Sequence, residues 1–524
     1  MLAAVDVGPG RTVVREASGG GRPAVMSVTA QPAATVAFPS VLAGASWWVD
    51  AERRTGTALD PVLVDLADGG NDLGQVAGDI GGPVVLAHTP GVDYLWSPGW
   101  DDMWIDTPAP AGLAAGTGLD VRFIVDPVAL ITGIPVDYHD NFLLHQGCDA
   151  DSDVSWAVIY HQTTGEWEFW WSEDGTAVSK VTLQGTVGLK FARRAVTVDF
   201  ATGVVSLFEQ AVSAPRRWFD LPTAGSKWDL VDTVTAAGPV VLFDSTADIR
   251  HSATTAPDEI DGEIAIGFAG ALVAVQIRTG VDGDLVAGFD ANDITIGPWS
   301  VVDGYPPLGG VGSTAASDGP FTGEAGETWT VHNFQTKSFP IVLVDRTCYV
   351  VGSRSYGETP VDDTVFDVAP GEHLTVAVAW RTSRAEVEGQ ALWSHKTSTL
   401  LHDQPGVDAF ITSTVPGGVV AIASDGVDTA LAEGPTVISG EPNLSVVTID
   451  GTAGTITSWS DATPGAPTST AAVDMSVTGV PMRVGALVDG TDPLYGSFEL
   501  FSMAVFRRRL TPGEIAWLRT EMIG

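Results

Sequence analysis

The chain has 524 residues, enough for several domains, and carries 65 acidic against 26 basic residues, a formal charge of −39. A surface that negative repels phosphate, and no basic tract offsets it, so nucleic-acid binding is excluded. Sixty glycines, 32 prolines and a 44 % share of hydrophobic residues predict many short strands around ample cores, and argue against helices.

Charged residues make up only 17 % of the chain, below the roughly 25 % usual for soluble domains. That shortfall points to a surface partly covered by other subunits, hence a homo-oligomer. Cys148 and Cys348 stand too far apart to suggest a staple or a metal site, and read as free buried thiols. Asp6 and Arg11 interrupt the apolar core that a signal peptide needs, and no run of eighteen apolar residues offers membrane insertion. The expectation is synthesis in a cytoplasm, without a signal peptide.

Residues 1–40 are a Gly/Ala/Val segment with SGGGRP at 18–23. It holds too little apolar pattern to fold alone. It is either a flexible arm or an anchor that orders against neighbouring subunits. Ser46-Trp47-Trp48-Val49-Asp50 leads into a strand, and Asp68-Gly69-Gly70-Asn71-Asp72 follows. A Ca²⁺ loop through Asp68, Asn71 and Asp72 would lack the ligand spacing and terminal Glu of an EF-hand loop, so a turn is preferred.

From residue 83 onward the same plan runs twice. GPVVLAHTPGVDYLW at 82–96 parallels FPIVLVDRTCYVVG at 339–352, and the stretch 119–125 parallels 373–379. Leu143-Leu144-His145 parallels Leu392-Trp393-Ser394-His395, and 196–203 parallels 446–454. The interval from Gly175 to Gly203 is 28 residues, as is that from Gly426 to Gly454. Ile264–Phe268 and Ala271–Ile277 then match the strands around Gly485 and Phe498. About 33 further residues in the region 209–262, with Arg216, Arg217, Trp218 and Trp228, form an insertion in the first copy. Asp282-Gly283-Asp284 reads as a turn where the second copy has its closing helix. Short alternating strands with turn signals every 8 to 15 positions suit two-sheet sandwiches and exclude parallel α/β folds. The expected division is an arm at 1–40, a first sandwich at 41–327 and a second at 328–524.

Val154 to Ser172 (VSWAVIYHQTTGEWEFWWS) is the stretch with most chemistry. A hairpin turning at Thr163-Thr164-Gly165 sets Tyr160 against Trp167, Val158 against Phe169 and Trp156 against Trp171, a core face. The other face carries Ile159, His161, Glu166, Glu168 and Trp170. An exposed Trp170 beside Glu168 and His161 is how a protein holds a sugar, whose apolar face stacks on the ring while its hydroxyls bond to the acids. The competing reading is a solvated outer face with one packed tryptophan. Glu166 and Glu168 resemble half of the Glu-x-Asp-x-Glu set of jelly-roll glucanases. The third member is absent, as are other catalytic motifs, so no catalytic residue is assigned and the chain is read as a non-enzyme. The histidines are scattered without ligand spacing, and neither a metal nor a cofactor is expected. Trp96, Trp100 and Trp104 read as core or turn anchors.

The end of the chain is the most regular part. Arg483–Ala486 is a short strand with a glycine, and Phe498–Phe506 (FELFSMAVF) is apolar on nearly every position, as a strand buried on both faces must be. Thr511-Pro512-Gly513-Glu514 opens a helix with a capping box, and Ile515, Leu518 and Met522 make its apolar stripe. Arg507-Arg508-Arg509 reads as a local partner for carboxylates. This ending, FRRRLTPGEIAWL included, resembles that of concanavalin A-like (LamG-type) jelly-roll domains in minor tail proteins of phages infecting actinobacteria. The paired tryptophans and the Asp-Gly-Gly-Asn turn resemble the opening of the same domains. The resemblance implies an all-β chain of two tandem jelly-roll β-sandwiches with a short C-terminal helix and an extended N-terminal arm. It further implies a structural virion component near the tail tip, with other tail proteins as partners and a role in binding host-envelope glycan. A stand-alone lectin-like protein and a capsid-decorating fibre are the alternatives.

Overall fold

Four large sheets, antiparallel but for the short parallel pairing of Ile266–Gly267 with Asp140–Gln146, stack in one order: outer, inner, inner, outer. This computed structural model describes residues 3–6, 12–15 and 40–524. Within the last span it leaves out 57–59, 68, 78–81, 89–90, 99–102, 128–139, 149–152, 162–163, 187–191, 211–227, 253–265, 295–316, 334–340, 353–354, 363, 383–389, 397–403, 413–417, 438–439, 470–473 and 488–493. Most of the expected arm at 1–40 therefore lies outside the described residues, which hold there only the hairpin of Ala3–Asp6 with Thr12–Arg15.

The two sandwiches repeat each other strand for strand. The inner sheet of the first runs Asp229–Thr235, Val204–Gln210, Ala192–Asp199, Gly118–Pro127, Ala269–Thr279, Tyr94–Pro98, Val342–Val344. The inner sheet of the second runs Thr463–Pro464, Thr455–Ser460, Asn443–Asp450, His373–Arg381, Phe498–Phe506, Cys348–Val351, Val84–Leu86. The outer sheets match in the same way, from Val178–Gln184 to Thr328–Asn333 and from Thr429–Thr436 to Gly74–Val76. Gly203 and Gly454 occupy equivalent turns with φ of 67° and 60°, and Gly175 and Gly426 do so with 82° and 90°. At these backbone angles a Cβ would be strained, so glycine holds the turns. The fold is all-β, two concanavalin A-like jelly rolls closed by the helix Pro512–Met522.

Strand membership divides the chain differently from the expected boundary at 327/328. The first sandwich draws on strands from Tyr94–Pro98 to Val342–Val344, without interruption. The second takes Trp47–Asp50, Gly74–Val76 and Val84–Leu86 from before it, and everything from Cys348–Val351 onward. Each copy of the repeat thus lends its leading strands to the other's sandwich: Val84–Leu86 pairs with Cys348–Val351, and Val342–Val344 with Tyr94–Pro98. The pattern of a three-residue apolar strand shows that it is buried and leaves open in which core. The counterpart of Pro481–Val484 is Ile249–Ser252, inside the expected insertion, rather than Ile264–Phe268.

Phe498–Phe506 shows why an inner strand is apolar throughout. Phe498, Leu500, Met503 and Val505 enter the core of the second sandwich, while Phe501, Ala504 and Phe506 enter the seam between the sandwiches. A bulge at Phe501 makes the switch, because Trp380 pairs with Leu500 and Ala379 with Ser502. Ala269–Thr279 carries the same bulge at Val273. Ala195, Ala271, Ala274, Ala377, Ala379 and Ala504 keep the seam thin, and Trp96, Trp228, Trp459 and Phe501 fill it. Arg381 locks one edge. It bonds Glu499, donates to the Leu343 carbonyl of the first sandwich, and lies 3.1 Å from Asp345 and 5.5 Å from the Phe501 ring centre.

Thr511 and Glu514 form the expected capping box, and Ile515, Leu518 and Met522 face the seam. Arg507, Arg508 and Arg509 pair with Glu372, Glu514 and Asp450. Both cysteines are free and buried.

Because the seam is shared, Phe501→Ala is expected to cost about 3–5 kcal/mol and to lower the melting of both sandwiches in a single calorimetric transition. Two separate transitions, with only the second displaced, would contradict the shared seam.

Candidate functional site

The hairpin of Trp156–His161 and Glu166–Ser172 pairs in the expected register, with Tyr160 opposite Trp167, Val158 opposite Phe169 and Trp156 opposite Trp171. The Gly165 N–H donates to the His161 carbonyl at 2.8 Å, and φ of 73° at Gly165 closes the turn. Those six side chains lie in the core. Ile159, Glu168 and Trp170 lie on the outer face, as the alternation requires.

Trp170 is nevertheless not an open platform, for it is only 1 % exposed. It packs with Phe142, Cys148, Val154, Ala157 and Ile159 in a small cluster on the outside of the sheet. Phe142 meets it edge-on at 5.6 Å, the Lys180 ammonium lies 5.2 Å from its ring centre, and its indole N–H donates to Glu168 Oε2 at 2.6 Å. Alternation told the sequence reading which side Trp170 takes. It did not tell what already occupies that side, and the expected exposed stacking surface is corrected accordingly. Glu168 also accepts from Thr182 Oγ1 at 3.1 Å, with His161 Nε2 at 3.5 Å and Lys180 Nζ at 3.6 Å. Burial pushes its carboxyl up, but the bonds from His161 and Trp170 and the nearby cationic charge outweigh burial and hold it below the usual range. Glu166 accepts from Thr164 Oγ1 at 2.9 Å.

A second cluster on the same outer face escaped the sequence reading. Trp104 is flanked by His332, whose ring stacks at 4.8 Å and 22°, and by the Arg250 guanidinium, 4.7 Å from the ring centre. Asp106 ties the group together. It accepts the Trp104 indole N–H at 2.9 Å, lies 3.1 Å from His332 Nε2, and sits 3.7 Å from Arg250 Nε. Three strands distant in sequence supply these residues, so only the pairing of Asp106 with Arg250 and of Trp104 with His332 brings them together. Trp96, by contrast, lies in the seam, and Trp100 is outside the described residues.

Register carries one row straight across this sheet: Lys180, Trp170, Ala157, His145, Arg250, Asp106, Thr330. The equivalent row of the second sandwich reads Leu431, Ile422, Asp408, Ser394, Arg483, Glu358, Gly74. An arginine–carboxylate pair recurs, Arg250 with Asp106 and Arg483 with Glu358 at 2.9 Å. Tryptophan and histidine stand in the first row alone.

The loop around Asn71 and Asp72 is held by hydrogen bonds from backbone N–H groups to its carboxylates. Asp65 accepts from the Trp48, Ala67 and Asn71 N–H groups, and Asp72 accepts from Asp65. Asp68 lies outside the described residues. No group of three or more His, Cys, Asp or Glu among the described residues is placed to hold a metal ion.

The chain matches no family model and no curated protein. Among solved structures, domains LG4–5 of the mouse laminin α1 chain align with 81 % of this chain and 96 % of their own, at 10 % identity and a TM-score of 0.27. The LG1–3 region of the laminin α2 chain aligns with 78 % of this chain and 65 % of its own, at 14 % identity and 0.25. The CBM40 module of Ruminococcus gnavus IT-sialidase, bound to α2,3-sialyllactose, aligns with 28 % and 83 %, at 18 % identity and 0.25. All are similar to this chain in being sandwich proteins.

His251 gives the outer sheet a pH response. It is fully buried, its Nδ1 lies 2.8 Å from the Leu143 carbonyl, and burial lowers its pKa to about 4. The unfolded chain takes up that proton near pH ~6.5. Stability is therefore complete above that pH and falls as the pH drops toward 4, by roughly 3 kcal/mol for this residue. Glu168 acts lower, its contribution vanishing only as the pH falls through its depressed folded value. His251→Phe is expected to flatten the stability profile between pH 6.5 and 4 in denaturant titrations, and Glu168→Gln to flatten it only below about pH 4.3. Unchanged slopes would refute both assignments.

Proposed function

We propose that this chain is a structural component of a phage tail, a minor tail protein near the tail tip, whose first sandwich touches host-envelope glycan through its outer sheet. The observation that carries the glycan part is the inequality of two equivalent faces. The same strands in the same order bear Lys180, Trp170, His145, Arg250 and Asp106 on one sandwich, and Leu431, Ile422, Asp408, Ser394, Arg483 and Glu358, without tryptophan or histidine, on the other. The tail assignment is supported by the likeness of the C-terminal strands and helix to those of actinobacteriophage tail domains.

With Trp170 covered, recognition falls to groups with fixed polar atoms. Asp106 holds Arg250 and His332 in place, Glu168 is fixed separately by Trp170 and Thr182, and the Arg250 and His332 side chains each keep 17 % of their surface. Such a face bonds sugar hydroxyls in a defined orientation and is shallow, so single contacts are weak. Repetition around a tail multiplies them through effective concentration. The reading is non-enzymatic, and the purified protein is expected to leave polysaccharides intact.

Two experiments test it. Fractionated virions probed with antibody should carry the chain at the tail. Labelling confined to the capsid would favour a decorating fibre, and absence from virions a free lectin. Binding to host cells should fall about tenfold, or roughly 1.4 kcal/mol, in Arg250→Ala. Arg483→Ala, the equivalent change on the other sandwich, should leave it unaltered. Equal losses in both variants would remove the outer sheet of the first sandwich as the site.

A further inference from the structure

The two sandwiches receive their completing segments in different ways. In the first, Ala269–Thr279 turns through residues 280–283 straight into Asp284–Asp290, which pairs with it, and Thr328–Asn333 and Val342–Val344 follow. In the second, the equivalent of Ala269–Thr279 is Phe498–Phe506, and the place of Asp284–Asp290 is taken by Trp47–Asp50. Register makes the match residue by residue. Asp50 faces Ser502 just beyond the bulge at Phe501, as Asp290 faces Ala274 just beyond the bulge at Val273. Gly74–Val76 and Val84–Leu86 complete the set. Trp47, Val49, Ala51, Leu63, Leu73 and Val85 of this segment all enter the second core. Its own bonds hold it as one piece: the Trp47 indole N–H donates to the Asn71 carbonyl at 2.8 Å, and Leu63 and Leu73 exchange backbone bonds at 3.0 and 2.9 Å. Yet it is joined to the core it completes only by way of the whole first sandwich.

Two links cross between the sandwiches, and they differ in length. Asp345, Arg346 and Thr347 join Val342–Val344 to Cys348–Val351, while residues 87–93 join Val84–Leu86 to Tyr94–Pro98. Four extended steps from Val344 to Cys348 reach about 14 Å, little more than the ~10 Å between stacked sheets. Eight steps from Leu86 to Tyr94 reach about 28 Å, enough to leave one molecule for another. We propose that residues 41–86 are exchanged between two copies of the chain, each segment completing the second sandwich of the other while both seams stay intact. A second copy is the occupant that reproduces every bond of the acceptor, from Trp48 Nε1 on Ser502 Oγ at 3.1 Å to the Val41 and Leu42 N–H groups on Glu521. Exchange opens only the link. Its ties are the His88–Asp93 pair at 3.1 Å, with side chains 17 % and 31 % exposed, the Tyr94 hydroxyl on the Ala87 carbonyl, and the backbone bonds of His88 to Thr347 and Asp93 to Asn292. Because the core contacts are the same in either form, such a swap is a low-cost route to a dimer. Ser502 is also made 454 residues after Trp48, so the segment can meet another copy's acceptor before its own exists. The inference goes beyond the glycan reading and does not rest on it.

The test uses the full-length chain. Val49 faces Met503 across the exchanged pairing, and directly opposed residues lie within disulfide reach. Both native cysteines are buried. Val49→Cys and Met503→Cys chains, co-expressed and mildly oxidised, should give a covalent heterodimer on a denaturing gel, since neither can bond within its own copy. Both substitutions placed in one chain should likewise give covalent dimers, and bonds confined to single chains overturn the proposal. Sedimentation should show wild-type dimers, and a chain that stays monomeric up to about 100 μM overturns it as well. Deleting residues 88–91 leaves Ala87, Val92 and Asp93, a link as short as its counterpart. This variant should melt as the wild type does and sediment as a monomer. A variant that still dimerises overturns exchange through this link.

Discussion

Both inner sheets are apolar on two faces, and water can be kept from only one of them within a single sandwich. The second face has to find another apolar sheet, and the partner it finds is its own repeat. Everything else in the arrangement follows from that burial. Alanines thin the seam so that tryptophans and Phe501 can fill it. The paired bulges at Val273 and Phe501 turn side chains from one core to the other within a single strand. The C-terminal helix closes the end of the seam with Ile515, Leu518 and Met522. Arg381 crosses at the edge, where a carbonyl and two carboxylates repay its desolvation.

The sequence was legible where a period or a cap decides the outcome. Phe498–Phe506 declared two buried faces by having no polar alternation. The hairpin at 156–172 declared its register by the tryptophans and tyrosine on one side, and Thr511 to Glu514 declared a helix start. Long-range membership was not legible. Val84–Leu86 and Val342–Val344 are near copies, and nothing local tells either strand which sandwich it completes. The same limit applied to the site. Trp104 and Asp106 are neighbours in sequence, but Arg250 and His332 reach them through pairings across 144 and 228 residues. Trp170 was placed on the correct face and in the wrong surroundings, because its cover comes partly from Phe142, set outward beside a bulge.

Repetition is what makes the chemistry interpretable. With one strand order used twice, each position has an internal control, and differences between copies stand out against a common background. The arginine–carboxylate pair is shared and so belongs to the plan. Trp170 and His145, in the row where the second sandwich has Ile422 and Ser394, are additions to that plan.

Exchange of leading strands also sets an order of events during synthesis. Trp48 bonds Ser502, 454 residues away, so the second sandwich cannot close until the ribosome has nearly finished. At roughly 5–20 residues per second, Trp47–Asp50 waits on the order of 20–90 s for its partner. The first sandwich is contiguous and is complete long before that. Its seam face is then the one large apolar surface to which the waiting segment can be close, being tethered directly to it. The earlier-made repeat thus presents its seam face before most of the strands that cover it have been made.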